Sequence, residues 1–321
     1  MAISSVQNLP PTGGGRYRHL AFLYEDDAEY ISVLSNFIQT GVDAGEQVLV
    51  VVPDPKIDPL SSAISDPYYQ VRFMDMLHVG RNPARVIAMW SDFLDNADGQ
   101  PCRGVGEPVH RERERDARTE CGVNEQLVNI ALGDPEFLLA CPYDTRILDH
   151  TTLDAAVDTH PWLLGDGGTR RNDMFYGGPS TDALFGAPLD PIGTPAVDFP
   201  FGPDDLARLR WLVASAARDF GLSTDRTAGF VLAADEVAGN VLLHGGGGGT
   251  ARWWVAGDEL VCEVTGPGTF TDPLVGRFRL PVDRPGGRGL WLANQLCDLV
   301  QLRNVGDRTV VRLHVGHTPS S

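Results

Sequence analysis

Between His19 and Pro161 short unbroken apolar runs alternate with amphipathic stretches. His19–Tyr24 is apolar and ends in Glu25-Asp26-Asp27, acids that suit the first turn of a helix. That helix continues to about Val42, with Ile31, Leu34, Phe37 and Ile38 on one stripe and Gly45 closing it. Gln47–Val52 is continuously apolar and stops at Pro53, the pattern of a strand covered on both faces. The alternation then repeats. Gln70–Met74 reads as a strand and Pro83–Ala97 as a helix. Arg103–Val105 is a strand ending at Gly106-Glu107-Pro108, and a long helix runs from about Arg113 to Leu132. Phe137–Cys141 is a strand ending at Pro142-Tyr143-Asp144, and Leu153–Val157 is a short helix stopped by His160-Pro161. This order predicts an α/β fold, a three-layer and mostly parallel sheet with helices on both faces.

The pattern changes after residue 176. Residues 176–202 are dense in Gly and Pro and read as an interdomain linker. Leu184-Phe185 and Val197-Asp198-Phe199 within it are apolar and call for cover. Pro203-Asp204-Asp205 opens a helix with Leu206, Leu209, Val213, Ala216 and Phe220 on one stripe, and Gly221 caps it. A second helix begins near Thr227. Two strand-like runs follow, Ala251–Val255 and Glu259–Thr265, then a Gly266-Pro267-Gly268 turn. Arg284-Pro285-Gly286-Gly287-Arg288-Gly289-Leu290 opens another helix, and Thr309–Val315 alternates as a last strand. The expected organisation is a disordered lead over 1–16, a domain over 17–175, the linker over 176–202 and a second domain over 203–316.

Composition narrows the function. The formal net charge of −17 argues against nucleic-acid binding. Lys56 is the only lysine, so no Gly-x-x-x-x-Gly-Lys-[Ser/Thr] phosphate loop exists. No apolar run reaches the roughly 18 residues that span a membrane. The five cysteines form no Cys-x-x-Cys, and with no signal peptide they suggest reduced thiols and a cytoplasmic protein. A zinc site from Cys102, His110 and Cys121 would match no common spacing.

The candidate chemistry lies on the second long helix. Glu236 and Asn240 are four residues apart, stacked on one helix face. Half-burying a carboxylate and an amide is costly unless they bind something. Mg²⁺ and a polarised water would serve, and an ordinary i,i+4 polar pair on a solvated face is the alternative. The glycines before the third helix leave backbone N–H groups free to face phosphates.

Glu236 with Asn240, followed by Gly286-Gly287-Arg288-Gly289-Leu290, resembles the N box and second glycine box of the GHKL ATPase superfamily, most closely the serine kinases that act as anti-sigma factors. The resemblance covers roughly Pro203 to Val315 and implies a C-terminal GHKL (Bergerat) α/β sandwich using ATP and Mg²⁺. It implies that Glu236 orients or deprotonates the attacking hydroxyl, that Asn240 holds Mg²⁺, and that Gly268, Gly286, Gly287, Arg288, Gly289 and Leu290 surround the nucleotide. Thr309 stands where the superfamily often has a hydroxyl near the adenine. One box departs from the pattern: where the family has an aspartate that binds the adenine amino group, this chain has Gly266. A charge-assisted bond of about 1.5–3 kcal/mol is thereby lost, roughly ten- to a hundredfold in affinity.

His19 and Tyr24, Arg103–Pro108 and Cys141–Asp144 resemble the MEDS sensory domain, which resembles a RecA-like core without its phosphate loop. Ligands of open α/β sheets bind beyond the carboxyl ends of strands. Glu107, Tyr143 and Asp144 are therefore expected pocket residues, the alternative being that Gly, Pro and Asp simply end the strands; the resemblance adds His19 and Tyr24 to the expected sensory pocket. Asn124-Glu125 in the long helix is a further polar patch.

Together the resemblances imply a signal-responsive anti-sigma regulator. It would phosphorylate a serine on an antagonist protein, sequester a sigma factor, or both. The alternative is a non-catalytic partner-binding switch with a degenerate nucleotide site. Arg208, Arg210 and Arg218 are candidates for contact with an acidic partner. Related domains form homodimers, to which Trp211 or Trp253-Trp254 would contribute.

Overall fold

The computed structural model describes residues 17–66, 70–111, 113–133, 135–175, 177, 180–279 and 287–317. The 1–16 lead and Gly286 lie outside the described residues. The described residues group into two units, one from 17–78 and 90–177, the other from 79–89 and 180–317.

The first unit is built on strands β1 (Arg18–Tyr24), β2 (Gln47–Val52), β3 (Val71–Asp75), β4 (Cys102–Gly106), β5 (Phe137–Asp144), β6 (Trp162–Gly165) and β7 (Gly168–Arg171). Its sheet runs β3-β2-β4-β5-β1-β6-β7, parallel throughout except for the β6–β7 pair. The chain's helices up to residue 159 are α1 (Asp27–Asp43), α2 (Ile57–Ser62), α3 (Met76–Val79), α4 (Val86–Asn96), α5 (Arg115–Ala131) and α6 (His150–Thr159). Asp26 caps α1 by accepting the Glu29 N–H at 2.8 Å. Leu20, Phe22 and Tyr24 of β1 join Leu34, Phe37 and Ile38 of α1 in one core. By the period of two, His19 and Ala21 face the other side of the sheet. Strand β5 continues through Pro142 to Asp144, further than its apolar run, because it pairs with β1 from Leu138 to Asp144.

In the second unit α7 (Thr181–Gly186) and β8 (Val197–Phe201) form inside the Gly- and Pro-rich stretch. Phe185 is buried edge-on against Phe270, and β8 pairs with the next strand, so these apolar residues do find cover. Helices α8 (Leu206–Phe220) and α9 (Thr224–His244), strands β9 (Gly249–Ala256) and β10 (Glu259–Pro267), helix α10 (Gly289–Leu296), and strands β11 (Leu299–Val305) and β12 (Arg308–Gly316) complete it. The sheet is antiparallel, in the order β11-β12-β10-β9-β8. Gly221 ends α8 with φ 91°, and Ser223 caps α9 on the Arg226 N–H. Leu209, Val213, Phe230, Val237, Leu260, Cys262, Val264, Val311 and Leu313 form the core between helices and sheet. Each such side chain contributes about 1.5–3 kcal/mol by burial. Trp253 and Trp254 are also buried, which removes them as dimer-contact candidates, whereas Trp211 is 63% exposed.

Candidate functional site

Helix α9 carries Glu236 and Asn240 one turn apart, both half-buried. Neither side chain makes a hydrogen bond within the described residues. Helix α10 begins against them at Gly289. A Cβ at Gly289 would lie 2.7 Å from Glu236 Oε2 and 3.0 Å from Asn240 Nδ2, so only glycine allows this approach. Gly287, at φ 78°, turns the chain into the helix, and half-buried Arg288 precedes its first residue. The free N–H groups of the first turn of α10 therefore start beside a carboxylate and an amide. That is the chemistry of a phosphate and Mg²⁺ end, and the residues present fit one.

The far end of α10 is fixed as well. Arg85, from the 79–89 segment of this unit, donates from Nε to the Asn294 carbonyl at 2.8 Å, and from Nη2 to those of Gln295 at 2.5 Å and Cys297 at 3.3 Å. A guanidinium on the last carbonyls satisfies acceptors that the helix leaves open. Asn82 donates to the Asn294 carbonyl and side-chain oxygen at 3.1 and 3.2 Å. Arg81 and Arg226 both pair with Asp298, just beyond the helix.

The Gly266 side of this site is tightly packed. Leu260, Cys262 and Val264 face the helices, so Gly266 does too, opposite Thr309 of β12. A Cβ at Gly266 would lie 2.3 Å from Val241 Cγ1 and 2.8 Å from Cγ2. Val241 is only 7% exposed and also crowds Gly249. Valine methyls thus occupy the space an aspartate would need. The Thr309 hydroxyl donates to the Gly268 carbonyl at 2.9 Å. Gly268 stands at φ 89°, bonded through its N–H to Asp307. Leu290 is half-buried beside Gly276. Of the arginines considered for a partner, Arg210 pairs with Asp235 at 3.0 Å and Arg208 lies over the Phe199 ring, while Arg218 is exposed.

The five expected sensory residues do not form one pocket. Tyr24 and Glu107 meet at the carboxyl end of the first sheet, with Asp144 beside Tyr24. Lys56 Nζ is 2.5 Å from Glu107 Oε1 and 2.7 Å from the Tyr24 hydroxyl, and Tyr30 donates to Glu107 Oε2 at 3.0 Å. Burial pushes the Glu107 carboxyl up to about 6, against the pull of Lys56. Bonds from Arg146 hold Asp144 below the usual carboxylate range.

His19 and Tyr143 belong to a separate group on the opposite face. The Tyr143 ring stands edge-on to His160, and both residues lie with Glu125 and Cys141 between the sheet and helices α5 and α6. A cavity of about 560 Å³ opens there between α5 and α6, with Arg118, Gly122, Glu125, Tyr143, Thr152 and Thr159 among its walls. Burial, then the neighbouring His160, lower the His19 imidazole to about 4, so it is neutral near pH 7. Periodicity left His160 as a helix stop and gave Glu125 no partner, because their convergence is a tertiary fact. Cys102 and Cys121 bond instead to the backbone carbonyls of Gln100 and Pro108. All five cysteines are buried free thiols.

Residues 18–161 match the MEDS family, the methanogen/methylotroph DcmR sensory domain. Residues 199–315 match the histidine kinase-like ATPase domain. No curated protein matches the chain. Among solved structures, that of the RsbU and RsbW domains of Rv1364c from Mycobacterium tuberculosis is similar, at 18% identity and a TM-score of 0.30. The similarity covers 38% of this chain and 32% of that one. No helix among the described residues is long and apolar enough to cross a membrane.

Proposed function

From a chain that joins a MEDS sensory domain to a histidine kinase-like ATPase domain, we propose a signal-responsive regulator of the anti-sigma type. Its ATPase-fold domain holds a protein partner, either a sigma factor or an anti-sigma factor antagonist. The observation that carries this reading is the unequal nucleotide site: Glu236, Asn240 and Gly289 converge, whereas Val241 fills the space beside Gly266. Such a site favours partner binding as the output, with nucleotide held weakly through its phosphates. The test is calorimetric titration of the full-length protein with purified sigma factors and antagonists, with and without Mg·ATP. Complex formation without nucleotide is the expected result, and the reading fails if no such partner binds.

A second reading, a serine kinase acting on the antagonist, is favoured by the Glu236 carboxylate beside the N-terminus of α10, unpaired among the described residues. When bound, Mg²⁺ would neutralise charge on the phosphates, with Asn240 as its protein ligand. Glu236 would orient or deprotonate the serine hydroxyl, and the first-turn N–H groups of α10 would receive phosphate oxygens. Transfer of phosphate to the antagonist, abolished in Glu236→Ala, supports this chemistry. Absence of transfer in the wild type leaves binding as the sole output.

A further inference from the structure

Four buried donors converge in the first unit: His19 from β1, Cys141 from β5, Glu125 from α5, and His160 at the end of α6. Their ligand atoms all lie within 4.8 Å of one another. His19 Nε2 is 3.0 Å from Glu125 Oε2 and 3.3 Å from Cys141 Sγ, and His160 Nε2 is 3.3 Å from the same carboxylate oxygen. We propose that these four side chains bind a divalent transition-metal cation of the zinc class.

The second layer of contacts fixes both imidazoles for that role. His160 Nδ1 lies 2.7 Å from the Ala156 carbonyl, which can only accept, so Nδ1 carries the proton. His19 Nδ1 lies 3.0 Å from Asn129 Oδ1. The orientation of that amide is set by its Nδ2, which donates to the Thr159 and Glu125 carbonyls. With Nδ1 bonded outward on both rings, both Nε2 atoms face the same Glu125 carboxylate oxygen. A cation at that point is a partner that both nitrogens and the carboxylate can share.

The donor set also selects the ion. Two imidazoles, a thiolate and a carboxylate suit zinc-like cations and disfavour calcium and magnesium. Bonds of about 2.0–2.3 Å place tetrahedral donors roughly 3.3–3.7 Å apart; the spacings of 3.0, 3.3 and 3.3 Å would open slightly, and no pair of donors exceeds 4.8 Å. Loading releases the Cys141 thiol proton to solvent, and the thiolate and Glu125 together balance a divalent charge. The cavity that Glu125 borders supplies an entry path.

The test uses the full-length protein, stripped by chelation and titrated with Co²⁺. The expected result is about one Co²⁺ per chain, with tetrahedral d–d absorption and a thiolate-to-cobalt charge-transfer band, both displaced by Zn²⁺. Cys141→Ser should remove the charge-transfer band, and Asn129→Leu should weaken Zn²⁺ binding about 10–100-fold. No uptake, or a charge-transfer band that survives in Cys141→Ser, overturns the assignment. If that variant does not fold, X-ray absorption of zinc-loaded wild type decides. A shell with one sulfur and imidazole nitrogens supports the site, and a shell of oxygen alone overturns it.

Discussion

Replacing Gly266 with aspartate restores the residue type that the ATPase family uses for adenine, yet Gly266→Asp alone should fail to restore ATP binding. The new Cβ would stand 2.3 Å from Val241 Cγ1, 2.8 Å from Cγ2 and 3.0 Å from Cβ. Both residues sit on packed elements, β10 and α9, so relief requires a backbone shift. Overpacking of this kind costs about 1–3 kcal/mol. Val241→Ala removes the two obstructing methyls, at about 2 kcal/mol for lost burial and cavity. The double variant should recover at least about 1 kcal/mol relative to the sum of the single changes, because the two side chains compete for one volume. A charge-assisted bond to the adenine amino group then adds about 1.5–3 kcal/mol, a ten- to hundredfold gain in Mg·ATP affinity over Val241→Ala. Urea denaturation gives the stability cycle and calorimetry gives the affinities, both on full-length protein. If Gly266→Asp alone is as stable as wild type, or binds Mg·ATP as tightly as the double variant, Val241 is not the obstruction. If the double variant binds no better than Val241→Ala, the adenine end was never the deficit.

Arg85→Ala should lower stability by about 2–3 kcal/mol, since it strips a guanidinium from the last carbonyls of α10; faster amide exchange in 289–297 would locate the loss, and unchanged exchange there would refute it. Glu107 carries a carboxyl raised to about 6, mainly by burial. A raised acid binds its proton more readily when folded, so its contribution is favourable at low pH and is lost as pH rises from about 4.5 to 6. The expected loss is about 2 kcal/mol, and Glu107→Gln should flatten that part of the stability profile. Arg103 donates to Glu46 at 2.7 and 3.0 Å and to the Phe37 carbonyl at 2.8 Å, with both partners of the pair largely buried. Glu46→Ala should therefore cost about 3 kcal/mol in denaturant unfolding, and a loss below about 1 kcal/mol would show that Arg103 finds another partner.

Much of the fold was legible in local pattern. The Gln47–Val52 run predicted a strand covered on both faces, and residues 48–52 of β2 are all buried, on both faces of the sheet. Capping acids, Gly221 and the Pro203 start marked helix ends because those signals are local. Short edge elements were not legible. Strands β6 and β7 have too few residues for a period to show, and β8 was hidden by the Pro and Gly around it. The sensory residues show the same limit. Strand ends singled out Tyr24, Glu107, Tyr143 and Asp144, but the alternation of β1 and β5 sends Tyr143 to one face and Tyr24 to the other. Local pattern marked His19 in an otherwise apolar strand, the Asn124-Glu125 patch and the Cys141–Asp144 strand end separately, with no sign that they meet at His160. The other three lie on α5, β5 and the end of α6, and only the folded sheet joins them.

Gly266 shows how a residue can be read correctly in sequence and still be incomplete. Along the chain it is a loss: a glycine where the related boxes carry a carboxylate. In the fold it is half of a packed pair, because Val241, one residue after Asn240, fills the volume a side chain there would need and crowds Gly249 as well. A bare loss would leave a cavity that a reverse substitution could refill. A filled volume makes the glycine a requirement of packing, so adenine contact cannot return by a single change. Meanwhile Gly289 keeps α10 against Glu236 and Asn240, where any Cβ would collide. Glycine therefore has opposite consequences at the two ends of one site. At Gly289 it preserves the approach that the proposed function assigns to phosphates and Mg²⁺, and at Gly266 it leaves no room beside Val241 for the aspartate that would hold adenine. On that proposal, affinity rests on the phosphate end and the domain's output is the partner it holds.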